Sequence, residues 1–232
     1  MICTDRPRQA RFLQNEDTDL TLNAICRLAA ELNIWVHIGS LALAGGPDGK
    51  FLNRGFAISN DGQIIARYDK IHLFDVAITK AETYQESLTY AAGDQAVVAN
   101  LGEVELGISI CYDLRFPHLY RDLALAGANV LAIPGAFSTA TGNNHVEVLL
   151  KARAIETGCF VIMAAQTGQH EQSHGNVRST WGHSMVIDPW GTKLCDLGIV
   201  EGYACVDIDL TLVNKTRLKI PSLHHNPPYK KP

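Results

Sequence analysis

The sequence has no apolar run long enough to cross a bilayer. About 20 consecutive apolar residues are needed for that, and stretches such as "CFVIMAAQ" (159–166) fall well short, so the expectation is a soluble chain with no membrane partner. Positive charge is not in excess either. With 20 Lys+Arg against 24 Asp+Glu, the electrostatic footprint of a nucleic-acid binder is missing. The six cysteines (Cys3, Cys26, Cys111, Cys159, Cys195, Cys205) are far apart, and none has the C-x2-4-C spacing of a zinc or redox pair. Reduced thiols in a cytoplasmic protein, each a small buried hydrophobe by default, are the simplest account. The opening "MICTDRPRQARFLQNEDTD" lacks the apolar core of a secretory signal. Adjacent His224 and His225 in "LHHN" have no further placed ligands, so neither metal nor cofactor is expected. There is no internal repeat and no linker, which leaves a single domain over residues 1–232.

What the chain does contain is an alternation of strands and helices. In "DLTLNAICRLAAELN" the apolar Leu22, Ile25, Cys26 and Ala29 recur at i, i+3, i+4 and i+7, the pattern of an amphipathic helix. "IWVHIGSLAL" (34–43) reads as a buried strand, and "FLNRGFAIS" with "GQIIARYDK", split by "NDG" at 60–62, as an antiparallel hairpin. After a polar stretch (75–94) come a strand in "VELGISICY", a helix in "HLYRDLALAGA", a strand in "NVLAIPGAF", a helix in "HVEVLLKARAIE" and a strand in "CFVIMAAQ". "GHSMVIDPWGT" and "EGYACVDIDL" supply two further strands, and the tail "KIPSLHHNPPYKKP" an irregular arm. The fold class is α/β with a sheet of mixed direction.

In such sheets reactive groups gather beyond the carboxyl ends of strands. Cys111, in "GISICYDLRF", occupies such a place, where the following helix favours a thiolate; a structural cysteine ending a strand is the alternative. A thiolate attacking a carbonyl needs a donor for the developing oxyanion. Lys70 in "RYDKIHLFD" lies among apolar neighbours, an unusual setting for a solvated ammonium, and Glu86 in "TYQES" could pair with it. Surface lysine and solvated carboxylate are the competing readings.

Taken in order, "RYDKIHLFD", "YQES", "GISICYDLRFP", "PGAF", "HVEVLLKARAIE" and "WGHSMVIDPWG" resemble the nitrilase superfamily of carbon–nitrogen hydrolases, from about residue 20 to the end. The Lys70 to Cys111 interval fits its amidase branch, and "PGAFSTATGNNH" and "RAIETGCFVIMAAQTGQH" resemble the amidases of deaminated glutathione, with ω-amidases of α-keto acid amides next. The resemblance implies an α-β-β-α sandwich assembled as a homodimer or larger homo-oligomer, with a small-molecule amide as substrate. Cys111 matches the thioester-forming nucleophile, Lys70 the oxyanion lysine, Glu86 a supporting glutamate and the Tyr112 N–H the rest of the oxyanion hole.

Two departures matter. The family's general-base glutamate, after its first strand, has no counterpart: Asp5 and Glu16 are the first acids with Asp17, and none follows an apolar strand. The chain therefore reads as lacking the opening strand-helix-strand unit and, as printed, as inactive; a catalytically dead binding or assembly protein is the other reading. Val146 stands where many relatives have tryptophan, which bears on the acyl pocket. Arg115 is a candidate for a substrate carboxylate, and His145 for the pocket or a helix cap. His170, His174 and Arg178 read as solvated loop residues. A papain-like Cys–His hydrolase would need His72, His145 or His183 beside Cys111.

Overall fold

The computed structural model describes residues 6–77, 83–170 and 178–230; Cys3, Asp5 and His174 lie outside them. After a short helix α1 (Arg6–Gln9) comes α2 (Leu20–Leu32), which starts where the Asp19 carboxylate accepts from the Leu22 N–H at 2.8 Å, satisfying one of the orphan donors of a first turn. Three strands follow, β1 (Val36–Leu43), β2 (Leu52–Ile58) and β3 (Ile64–Asp69), paired antiparallel in that order. The expected "NDG" turn joins β2 to β3. Gly62 there has φ 85°, and a Cβ on it would fall 2.5 Å from the Cys26 carbonyl oxygen, so glycine alone fits. The polar stretch carries a small hairpin, β4 (Asp75–Ala77) with β5 (Thr83–Gln85), and then a single turn, Glu86–Leu88.

The rest builds a second sheet. β6 (Val97–Leu101) and β7 (Val104–Ile108) form a hairpin; α3 (Pro117–Leu125) leads to β8 (Val130–Ala132); and α4 (Thr139–Thr141) and α5 (Glu147–Thr157) lead to β9 (Phe160–Met163). A side hairpin, β10 (Thr167–His170) with β11 (Arg178–Trp181), precedes β12 (Met185–Ile187), β13 (Lys193–Asp196) and α6 (Thr211–Lys219). The sheet order is β13-β12-β9-β8-β7-β6, parallel only along β7, β8 and β9.

Side chains alternate between layers as strand geometry requires. Leu131 and Val161 face α3 and α5, packing with Leu119, Tyr120, Leu123, Leu150 and Ala154. Their neighbours Val130, Ala132 and Phe160 face the other way and meet Ala57 and Tyr68 of the small sheet. That sheet's second face, Ile38, Leu43, Phe56 and Ile58, is covered by Leu22 and Ala29 of α2. The layers are therefore α-β-β-α, as expected. Where the sheets come closest, a Cβ on Gly39 would lie 2.5 Å from Pro134 Cβ.

Two elements differ from expectation. "EGYACVDIDL" forms no strand; the last strand is β13. Asp188 accepts from the N–H groups of Trp190 and Thr192, both at 2.8 Å, so the turn closes tightly and β13 takes the place beside β12. Residues 201–205 are all exposed, and 201–209 pair with no strand among the described residues. Helix α6 was not anticipated because it buries only Val213, too little for an apolar period to show. No helix among the described residues is long and apolar enough to cross a membrane.

Candidate active site

One large cleft, about 1150 Å³, is lined by Lys70, Glu86, Cys111, Tyr112, Arg115 and Arg178 among others. Lys70 follows β3 directly. Its N–H donates to the Asn53 carbonyl at 3.0 Å and its own carbonyl accepts from Gly93 at 2.9 Å, which fixes the backbone from both sides. The side chain is 3% exposed, and its Nζ meets Glu86 Oε2 at 2.5 Å. Glu86 also accepts from the Phe74 N–H at 2.7 Å and from Asn53 Nδ2 at 3.1 Å. Burial opposes ionisation of this carboxyl, but the Lys70 charge and those hydrogen bonds outweigh it and hold its pKa below the ordinary value. The sequence-based alternatives of a surface lysine and a solvated carboxylate are thereby excluded. An ammonium has three donors, so the bond to Glu86 leaves Lys70 others to offer the cleft.

Cys111 follows β7 at the start of the turn Cys111–Arg115, in left-handed backbone with φ 54°. That conformation costs a non-glycine residue about 1–2 kcal/mol, and fixed neighbours hold it. The Cys111 N–H donates to the Pro134 carbonyl at 2.8 Å, and the Asp113 N–H to Ile110 at 3.2 Å. Between these two, the Tyr112 N–H finds no acceptor among the described residues, as expected of a first-turn donor. Arg153 of α5 anchors the turn from below, with two bonds to the Leu114 carbonyl at 3.0 and 2.8 Å. The fully buried Asp113 accepts from Tyr68 Oη and the Ile110 N–H, each at 2.7 Å, from the His72 N–H at 3.0 Å, and meets His72 Nδ1 at 2.7 Å.

The histidines lie elsewhere. His72 stacks on Phe116 with centroids 3.6 Å apart, and His183 stacks on Trp181 while its Nδ1 bonds Asp196 at 2.9 Å. No histidine among the described residues lines the cleft, so the papain-like alternative fails. His145 is exposed, within the turn Gly142–Val146, and caps no helix by its side chain; instead, Arg115 Nη2 donates to its Nδ1 at 3.1 Å. Arg115 lines the cleft while His145 does not, so the substrate-binding expectation for His145 gives way to a hold on Arg115.

Three further expectations are corrected. Arg178 is no solvated loop residue: it lies on β11 and lines the cleft, donates from Nη2 to the Ala136 carbonyl at 2.9 Å and sits 5.6 Å over the Tyr84 ring. The β10–β11 hairpin that places it leaves little trace in a Gly- and Gln-containing sequence. His170, on β10, instead bonds Thr180 Oγ1 at 2.7 Å through Nε2. Val146 is buried in the helix-side core and does not line the cleft. Glu16 is bound into ion pairs with Arg54 at 2.7 Å and Arg67 at 2.6 Å, away from the chemistry. Glu86 is the single acidic residue lining the cleft among the described residues. No group of three or more His, Cys, Asp or Glu residues that could hold a metal occurs among them.

Residues 3–218 match the carbon–nitrogen hydrolase family. A deaminated glutathione amidase of Synechocystis sp. (strain PCC 6803 / GT-S) is 47% identical, the match covering 94% of this chain and 84% of that protein. The C. elegans NitFhit protein has a TM-score of 0.79 at 37% identity, covering 90% of this chain and 50% of that one. A mutant of the amidase from Nesterenkonia sp. AN1, 26% identical over 81% of this chain and 65% of that one with a TM-score of 0.65, shows covalent addition of the acetamide moiety of fluoroacetamide at its active-site cysteine.

Proposed function

The chain belongs to the carbon–nitrogen hydrolase family, and from that premise we propose that it hydrolyses the amide bond of a small linear carboxamide of the deaminated-glutathione type through a cysteine thioester. The observation that carries the reading is one cleft lined by Cys111, Tyr112 and the Lys70–Glu86 pair. The Cys111 thiolate attacks the amide carbon, and the carbonyl oxygen becomes an oxyanion held by the Tyr112 N–H and by Lys70. Collapse of the tetrahedral species breaks the C–N bond; the amine leaves with a proton, and water then releases the acid and returns the thiol. Glu86, fixed by Lys70, Phe74 and Asn53, orients the lysine and is poorly placed to move protons. Arg115, held by His145, offers a guanidinium for the substrate's carboxylate.

Proton transfer in this scheme calls for a second carboxylate, which the described lining does not supply. That observation favours a non-catalytic binding protein as the second reading. The assay follows amine release from deaminated glutathione and ammonia release from α-ketoglutaramate. Release, faster with deaminated glutathione, is expected. Faster release from α-ketoglutaramate would make it an ω-amidase, turnover by Cys111→Ala would reject the thioester, and no release from either substrate would favour the binding protein.

A further inference from the structure

Cys111 and Lys70 come from different sheets, β7 and β3, so a tie between the two must set their separation. Asp113 supplies one. Its carboxylate, without measurable exposure, accepts on the nucleophile's side from the N–H of Ile110, the residue before Cys111. On the lysine's side it takes the hydroxyl of Tyr68, two residues before Lys70, and both the N–H and Nδ1 of His72, two residues after it. His72 is itself stacked on Phe116, and bonds to a carboxylate this buried are strengthened by the low local dielectric.

We propose that Asp113 is a positioning residue for the reaction assigned above, a buried carboxylate that clamps the turn carrying Cys111 to the strand end carrying Lys70 and so fixes thiol against ammonium. It touches no substrate, since it does not line the cleft, and acts only through the two groups it brings into register. The tie has the logic of a second hydrogen-bonded layer around reacting groups, where small displacements translate into large losses. The inference rests on the proposed pairing of Cys111 with Lys70.

The test is a double-mutant cycle on the rate at which iodoacetamide alkylates Cys111 at neutral pH, read by peptide mass spectrometry in the parent, Lys70→Met, Asp113→Asn and the double variant, with thermal melts confirming that each is folded. Lys70 offers a donor that holds the reagent's carbonyl oxygen beside the thiol, so Lys70→Met is expected to slow alkylation about fivefold in the parent, the scale of one net hydrogen bond. In the Asp113→Asn background the same change is expected to slow it less than twofold, because the pair is no longer in register. Equal slowing in both backgrounds would overturn the positioning role and leave the Cys111–Lys70 pairing intact; no slowing in the parent would overturn the pairing and the positioning role with it. Should Asp113→Asn fail to fold, Tyr68→Phe, which removes one bond to the clamp, takes its place and is expected to weaken the Lys70 effect partway; an undiminished effect there would overturn the role.

Discussion

At the floor of the cleft, Lys70 and Glu86 are 3% and 6% exposed and every oxygen of Glu86 is matched to a donor, whereas at the rim Arg115 reaches an exposed His145 through a single bond of 3.1 Å. In the floor, Lys70 follows β3 and Glu86 opens the turn after β5, whereas the rim's Arg115 and His145 lie in a short turn and a π-type turn. Buried charges stand only while each has its partner, so the floor is intolerant of single changes. At the rim, water substitutes for a lost partner and a change there affects affinity more than folding.

Removing one charge at the floor gives the largest expected effect. Lys70→Met leaves Glu86 buried without its counter-ion and should lower unfolding stability by about 3–5 kcal/mol, read from the urea midpoint; adding Glu86→Gln should restore much of that loss. A double variant as weak as the single would mean that the pair is not the source. Next in size is Gly39→Ala between floor and core, where the added methyl must displace Pro134, for a loss of about 1–3 kcal/mol. The third effect is a pH dependence. The folded pKa of Glu86 lies below its ordinary 4.5, so its ionised form adds stability that is fully present above pH 4.5 and is lost as pH falls through the folded value. The stability gap between parent and Glu86→Gln should therefore stay constant above about pH 5 and narrow in acid; a gap that widened in acid would contradict the assignment. Smallest of all, His145→Ala should leave stability within about 0.5 kcal/mol while raising KM for an anionic amide, as Arg115→Ala should more strongly. If His145→Ala lowered stability as much as Gly39→Ala, the contrast between floor and rim would collapse.

The floor was legible in the sequence; of the rim, Arg115 and His145 were named as candidates but not the bond between them. Cys111 and Lys70 end strands whose apolar runs are plain, and the apolar neighbours of Lys70 already hinted at burial. The order of motifs then added Glu86, which composition alone left as a solvated carboxylate. Strand and helix periods marked an α/β chain with a mixed sheet, and the α-β-β-α layers were what the family resemblance implied. Arg178 was read as a solvated loop residue because its place depends on a two-stranded hairpin with weak alternation, and His145 as a pocket or capping residue because its bond to Arg115 has no periodic signature. Asp113 was visible as a residue but not as a hub. Its four hydrogen-bonding contacts come from Ile110, Tyr68 and His72, a convergence across two sheets that no local pattern encodes.

The central claim is that Cys111 is made reactive by its setting and not by its exposure. Fluoroacetamide, whose fluoride leaves reluctantly, separates the two, because Cys205 is the more exposed thiol and Cys111 the partly buried one. Peptide mass mapping at neutral pH is predicted to find the acetamide group on Cys111 first, with loss of fluoride and the thiol proton. Labelling of Cys205 and Cys26 while Cys111 stays unmodified would contradict the account.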